Sequence, residues 1–207
     1  PASPIACRRL EPRATPRMTA RPERRKRAAS PTESPPAPMP RIHVCPLSRL
    51  EATVVQSGAS HVVTVIGNIS VRRPGGIPRD NHLLLNLHDI VEAVEGQKLA
   101  GATHIRSLLA FARGWDQARP MVIHCYAGIS RSTAAAFISL CALRPERAED
   151  EIAAALRAAS RHAQPNRRLV ALADGVLKRE GRMIAAVEAM TAADPVEEGA
   201  PFALALD

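Results

Sequence analysis

The chain has 207 residues, 46% of them hydrophobic and 23% charged, which gives room and apolar content for one globular domain plus a tail and excludes wholesale disorder. Aromatic residues are 2% of the total, too few for the base-stacking platform of a single-stranded nucleic-acid binder. The net charge of +8 is concentrated in residues 1–40, which carry +6 and ten of the 18 prolines, whereas residues 41–207 carry +2 and no sign of a nucleic-acid surface.

Residues 1–40 are rich in Pro, Arg, Ser and Ala without apolar periodicity. They read as a disordered tail, with Arg24, Arg25, Lys26 and Arg27 as a contact for an acidic partner. Beyond it, residues 42–45 read as a short strand, and Ser48 is placed to cap a helix from Arg49 to about Gln56. The β-branched run 61–66 reads as a buried strand stopping at Gly67, and residues 82–87 as the next strand. After Gly101, Ile105, Leu108, Leu109, Ala112 and Trp115 recur at helical spacing. Pro120 opens a strand over 121–124, a short loop follows, and a helix runs from about Ser132 to Leu143. Two further apolar faces, Ile152/Leu156/Ala159 and Leu169/Leu172/Ala173/Val176/Leu177, the second ending at Gly181, make the last part helical. The expected fold is α/β, with a mostly parallel central sheet flanked by helices and a C-terminal helical run; residues 41–192 form the domain and 193–207 a tail.

No apolar run approaches the ~20 residues of a membrane span. Cys7, Cys45, Cys125 and Cys141 lie far apart with no C-x-x-C pair, so neither a zinc site nor a disulfide framework is expected, and the usage fits a reducing cytoplasm. No metal and no cofactor are called for.

Chemistry concentrates in His124, Cys125, Tyr126, Ala127, Gly128, Ile129, Ser130, Arg131, Ser132 and Thr133, where a buried strand gives way to a helix. Successive backbone N–H groups over residues 126–131 and the helix N-terminus form an anion cradle. Gly128 permits the tight loop, and the planar fork of Arg131 can grip two oxygens of a phosphate. The same field stabilises the thiolate of Cys125 as a nucleophile. Ser132 is placed to donate to that sulfur when it leaves. A nucleotide-binding loop fits less well, because no Gly-Lys-Ser/Thr ends the segment.

The pattern His-Cys-x-x-Gly-x-x-Arg-Ser at 124–132 resembles the signature of the cysteine-dependent protein tyrosine phosphatases, and HCYAGISRST is similar to small bacterial members with a dual-specificity-like domain. The resemblance spans about residues 41–190. It implies hydrolysis of phosphomonoesters, on phosphotyrosine and also phosphoserine or phosphothreonine, through a cysteinyl-phosphate intermediate. It also implies that His124 tunes the thiol. The alternatives are a phosphatase of a small-molecule or inositol phosphate, and a sulfurtransferase or arsenate reductase using a thiolate loop. The substrate is thus expected to be a phosphorylated protein or a small phosphate ester. The chain's one tyrosine, Tyr126, lies inside the loop, so no aromatic wall deepens the pocket. The absence of lysine within the loop disfavours polyphosphorylated inositides.

Such a phosphatase needs a general acid, and Asp80, Asp89 and Asp116 compete. Strand 82–87, the following helix and strand 121–124 form a crossover unit whose strands run parallel. Asp89 follows the carboxyl end of its strand, on the same edge as Cys125, whereas Asp80 and Asp116 precede strands on the opposite edge. Asp89 is therefore the expected acid. The neighbouring His88 reads as a solvated loop residue. Asn166, after Pro165, resembles the family asparagine that braces the active-site loops, and it is equally a helix N-cap.

Overall fold

The computed structural model describes residues 40–191 and 195–206, all within the unit Ala37–Asp207, the second of the chain's two units. The sequence-predicted basic tail lies outside the described residues. Five strands form one sheet: β1 (Arg41–Pro46), β2 (His61–Val65), β3 (His82–Leu85), β4 (Met121–Cys125) and β5 (Phe202–Ala205). Their spatial order is β3-β2-β4-β1-β5. The pairs β3/β2, β2/β4 and β4/β1 are parallel, and β5 runs antiparallel to β1.

Strand β4 is buried along its whole length, as expected for a central parallel strand covered on both faces. Alternation sends Met121, Ile123 and Cys125 into the larger core, with Val63, Val65 and Val44. Val122, Val62 and Cys45 point into a smaller core on the other face, under Leu50 and Val54 of α1 (Leu50–Ser57). The larger core is completed by α2 (Ala102–Gly114), α3 (Arg131–Leu143), α4 (Glu149–Ala159), α5 (Arg167–Leu177) and α6 (Arg182–Glu188). Ile105, Leu108, Leu109, Ala112 and Trp115 are all buried, as their spacing predicts. Among the described residues no helix is long and apolar enough to cross a membrane.

Four details differ from the sequence expectation. Ser48 does not cap α1: a 3-10 turn at Leu47–Arg49 precedes the helix, and the Ser48 hydroxyl donates to Glu198 Oε1 at 2.6 Å. Strand β3 ends at Leu85 rather than Leu87, because its ladder partner β2 ends at Val65, directly opposite. Helix α5 closes on Lys178 in the left-handed conformation, and Gly181 instead opens α6. The segment 193–207, read as a tail, carries β5, whose Leu204 together with Leu206 is buried in the larger core. A four-residue strand with two alanines offers too little alternation to be seen without its neighbour β1.

Candidate active site

All four parallel strands point their carboxyl ends at one edge of the sheet, the edge where open α/β sheets hold ligands. There β4 ends at Cys125, residues 126–130 form a loop, and α3 opens at Arg131. The loop's conformation follows from where its carbonyls go. The amide of Leu47 donates to Tyr126 O at 3.0 Å, that of Gly199 to Ala127 O at 2.8 Å, and that of Gln164 to Ile129 O at 3.0 Å. The Thr133 hydroxyl contacts both Ile129 O and Ser130 O, and the Asn166 amide donates to Ser130 O at 3.3 Å. In a trans peptide the N–H points opposite to the C=O. Carbonyls drawn outward therefore turn the amides of residues 127, 128, 130 and 131 inward.

One of those amides reaches the sulfur: Gly128 N donates to Cys125 Sγ at 3.2 Å, and Ser132 Oγ lies 3.1 Å from the same atom. Both contacts suit an anionic sulfur. Gly128 has φ +71°, and a Cβ there would stand 2.7 Å from Pro46 N, so glycine is required both for the turn and for seating the loop on the end of β1.

The arginine and the carboxylate complete the site. Arg131 Nη1 donates to Leu87 O at 3.4 Å, and its Nε lies 3.5 Å from Asp89 Oδ2. That Nε is buried without a hydrogen-bond partner among the described residues. An unpartnered buried donor beside the inward amides leaves the loop with hydrogen-bonding capacity that the described residues do not fill. Asp89 Oδ1 accepts from Ser130 Oγ at 2.7 Å and from Asn166 Nδ2 at 2.8 Å. Asn166 meanwhile caps α5, its Oδ1 accepting from Leu169 N at 3.0 Å, so one side chain both caps the helix and holds Asp89. Asp80 sits in the turn before β3, and Asp116 caps its own turn by accepting from Ala118 N at 3.0 Å. Both precede strands, away from the loop. Among the described residues no group of three or more His, Cys, Asp or Glu side chains is placed to hold a metal ion.

His124, buried beside the nucleophile position, has Nε2 2.7 Å from Thr64 Oγ1, which also lies 2.8 Å from His82 Nε2. Burial pushes His124 down to about 4, with smaller effects from its backbone and charged neighbours, so it is neutral near pH 7. A hydroxyl carries one proton, so Thr64 donates to one imidazole and accepts from the other, coupling the tautomers of His124 and His82. Sequence reasoning missed Thr64 and His82, and also the amides of Leu47, Gln164 and Gly199, because backbone donors leave no mark on residue identity. His88 is a staple rather than a solvated residue: its Nδ1 accepts from Lys98 N at 2.7 Å and its own N donates to Lys98 O at 2.8 Å. This closes the loop that presents Asp89.

No protein-family model and no curated protein sequence matches the chain. Among solved structures the chain is similar to the PTP-2 phosphatase of Cydia pomonella (20% identity, TM-score 0.52, 65% of this chain and 84% of that one). It is also similar to human DUSP28 (14% identity, TM-score 0.52, 67% and 94%). A third is the human tyrosine phosphatase-like serine/threonine/tyrosine-interacting protein (17% identity, TM-score 0.53, 67% and 92%). The fold is that of the dual-specificity and protein tyrosine phosphatases. The sheet is mixed, its one antiparallel strand being β5.

Proposed function

We propose that the protein is a cysteine-dependent phosphomonoesterase of the dual-specificity type, working through a cysteinyl-phosphate intermediate. The observation that carries this reading is Cys125 Sγ at the floor of the loop, held by Gly128 N–H and Ser132 Oγ beneath a ring of inward amides. In the first step the Cys125 thiolate attacks phosphorus in line, forming the S–P bond as the P–O bond to the leaving group breaks. Protonated Asp89 gives its proton to the departing oxygen. In the second step ionised Asp89 takes a proton from the water that attacks phosphorus, and the sulfur leaves with a hydrogen bond from Ser132.

Arg131 links the two carriers of charge. In the resting site its guanidinium faces Asp89 at 3.5 Å. A bound phosphate dianion competes for the same guanidinium and takes it in a bidentate grip, leaving Asp89 beside the leaving-group oxygen. Ser130 and Asn166 keep the carboxyl in place through that exchange.

The leaving group then lies in a cleft of about 470 Å³ between Asp89, Val91 and Val94 on one side and Ser130, Pro165 and Asn166 on the other. Tyr126, 64% exposed, is not among the residues that line it. An open cleft with apolar side chains favours phosphotyrosine and phosphoserine or phosphothreonine in a protein over a polyol phosphate.

Hydrolysis of an aryl phosphate in the presence of a chelator, with sulfur transfer and arsenate reduction as controls, tests the class. Cys125→Ser should abolish turnover while keeping oxyanion binding, since the amides and Arg131 remain. Arg131→Lys should be nearly as damaging, because a point charge cannot reproduce the planar fork. A fully active Cys125→Ser protein would eliminate the covalent mechanism.

A further inference from the structure

The peptide unit joining Ala127 and Gly128 has a contact at each end. Its N–H donates to Cys125 Sγ at 3.2 Å, and its C=O accepts from the amide of Gly199 at 2.8 Å. One rigid plane thus connects the segment before β5 to the sulfur. That segment is firmly placed. Downstream, β5 pairs with β1 from Val44↔Phe202 to Arg41↔Ala205, and Leu204 and Leu206 are buried. Upstream, Glu198 accepts from the Ser48 hydroxyl at 2.6 Å. A side chain at Gly199 would be crowded. A Cβ there would lie 3.2 Å from Gly128 O and 3.3 Å from Ile129 Cγ1.

We propose that Gly199, carried by the strap of residues 195–201, is a positioning residue that sets the orientation of the Gly128 amide and so the affinity of the loop for an oxyanion and the reactivity of Cys125. The proposal rests on the phosphatase reading of the loop. It extends that reading to a part of the chain remote in sequence from the motif. Its physical content is that the loop is clamped between two backbones: the end of β1, which fits only against Gly128, and the strap, whose Gly199 amide holds Ala127 O. A carbonyl deprived of its donor turns toward water. The plane turns with it and takes the Gly128 N–H off the sulfur and out of the cradle.

Two variants act on this contact in different ways. Gly199→Pro removes the N–H donor, and Gly199→Ala keeps it but forces a Cβ against Gly128 O. Binding of inorganic phosphate, measured by calorimetry, and the rate of Cys125 alkylation by iodoacetamide at pH 7 are the readouts, because neither requires turnover. Both variants should weaken phosphate binding by roughly tenfold and slow alkylation severalfold. Leu108→Ala, a cavity in the core under α2, should lower thermal stability at least as much while leaving both readouts within about twofold. If Gly199→Pro does not fold, Gly199→Ala decides. Folded Gly199 variants with unchanged phosphate affinity and alkylation rate would overturn the positioning role alone, as would an equal loss in Leu108→Ala. A parent protein that binds no phosphate would overturn the oxyanion reading of the loop and this proposal with it.

Discussion

Asp89 is held by three side chains from three places in the chain: Ser130 in the loop, Arg131 at the start of α3, and Asn166 at the start of α5. As the proposed general acid, it should matter most where the leaving group is poor. Asp89→Asn should slow esters with high-pKa leaving groups by ~10²–10⁴-fold and affect good leaving groups less. A leaving-group series on the variant, with Asp80→Asn and Asp116→Asn as comparisons, checks this; the same pattern in either of the other two would reassign the acid. The cysteines should separate as cleanly. Burial pushes the Cys45 thiol up to about 11 and the Cys141 thiol up to about 12, so both are inert thiols near neutrality. Peptide mapping after brief iodoacetamide treatment should find Cys125 modified, protected by added phosphate, and Cys45 and Cys141 untouched. Early modification of Cys45 or Cys141 would contradict the upward push on their thiols.

Helices α4, α5 and α6 carry no catalytic group, yet they set where Asn166 stands. Glu149, at the start of α4, is 5% exposed and ion-paired to Arg179 at 3.0 Å and Arg182 at 3.2 Å. Asp174 of α5 accepts from the amides of Gly181 and Met183 at 2.8 and 3.0 Å, fixing the turn into α6. Removing one partner of a buried pair leaves a stranded charge, so Glu149→Ala should cost about 3–5 kcal/mol of stability, read by urea unfolding. A loss below about 1 kcal/mol would show that the Cys141 and Pro145 carbonyls alone satisfy Arg179. How much of this was legible beforehand depended on the kind of signal. The buried faces of α2 and α5 and the positions of the parallel strands follow from apolar spacing and from β-branched runs such as 61–66. The helix after Arg131 and the edge shared by Cys125 and Asp89 follow from the motif and the crossover rule. Strand β5, the start of α6 and the true role of Ser48 depend on contacts between residues 150 or more apart in sequence or on left-handed backbone at Lys178, and no local pattern encodes them. The outward carbonyls of the loop were equally invisible, since their partners are backbone amides of arbitrary residues.

At the scale of the whole molecule, acid should loosen the fold through its histidines. Burial lowers His43, His61, His82 and, furthest, His124, which falls from 6.5 to about 4. Between those two values the unfolded chain binds the extra proton, so stability rises with pH and is lost as pH falls from 6.5 toward 4. For His124 alone this amounts to about 2 kcal/mol between pH 7 and pH 5, and the others act with the same sign. Urea midpoints at the two pH values measure it, and equal midpoints would mean that His124 is protonated in the folded state. The central claim, that the frame around residues 125–131 exists to form a bond between Cys125 and phosphorus, has a direct test. Asp89→Asn protein mixed with an aryl phosphate, quenched in acid within the first turnover and digested, should yield the peptide containing Cys125 with one phosphate on sulfur, absent in the Cys125→Ser, Asp89→Asn double variant. Release of the phenolate by the parent protein with no phosphate ever found on Cys125 would contradict it.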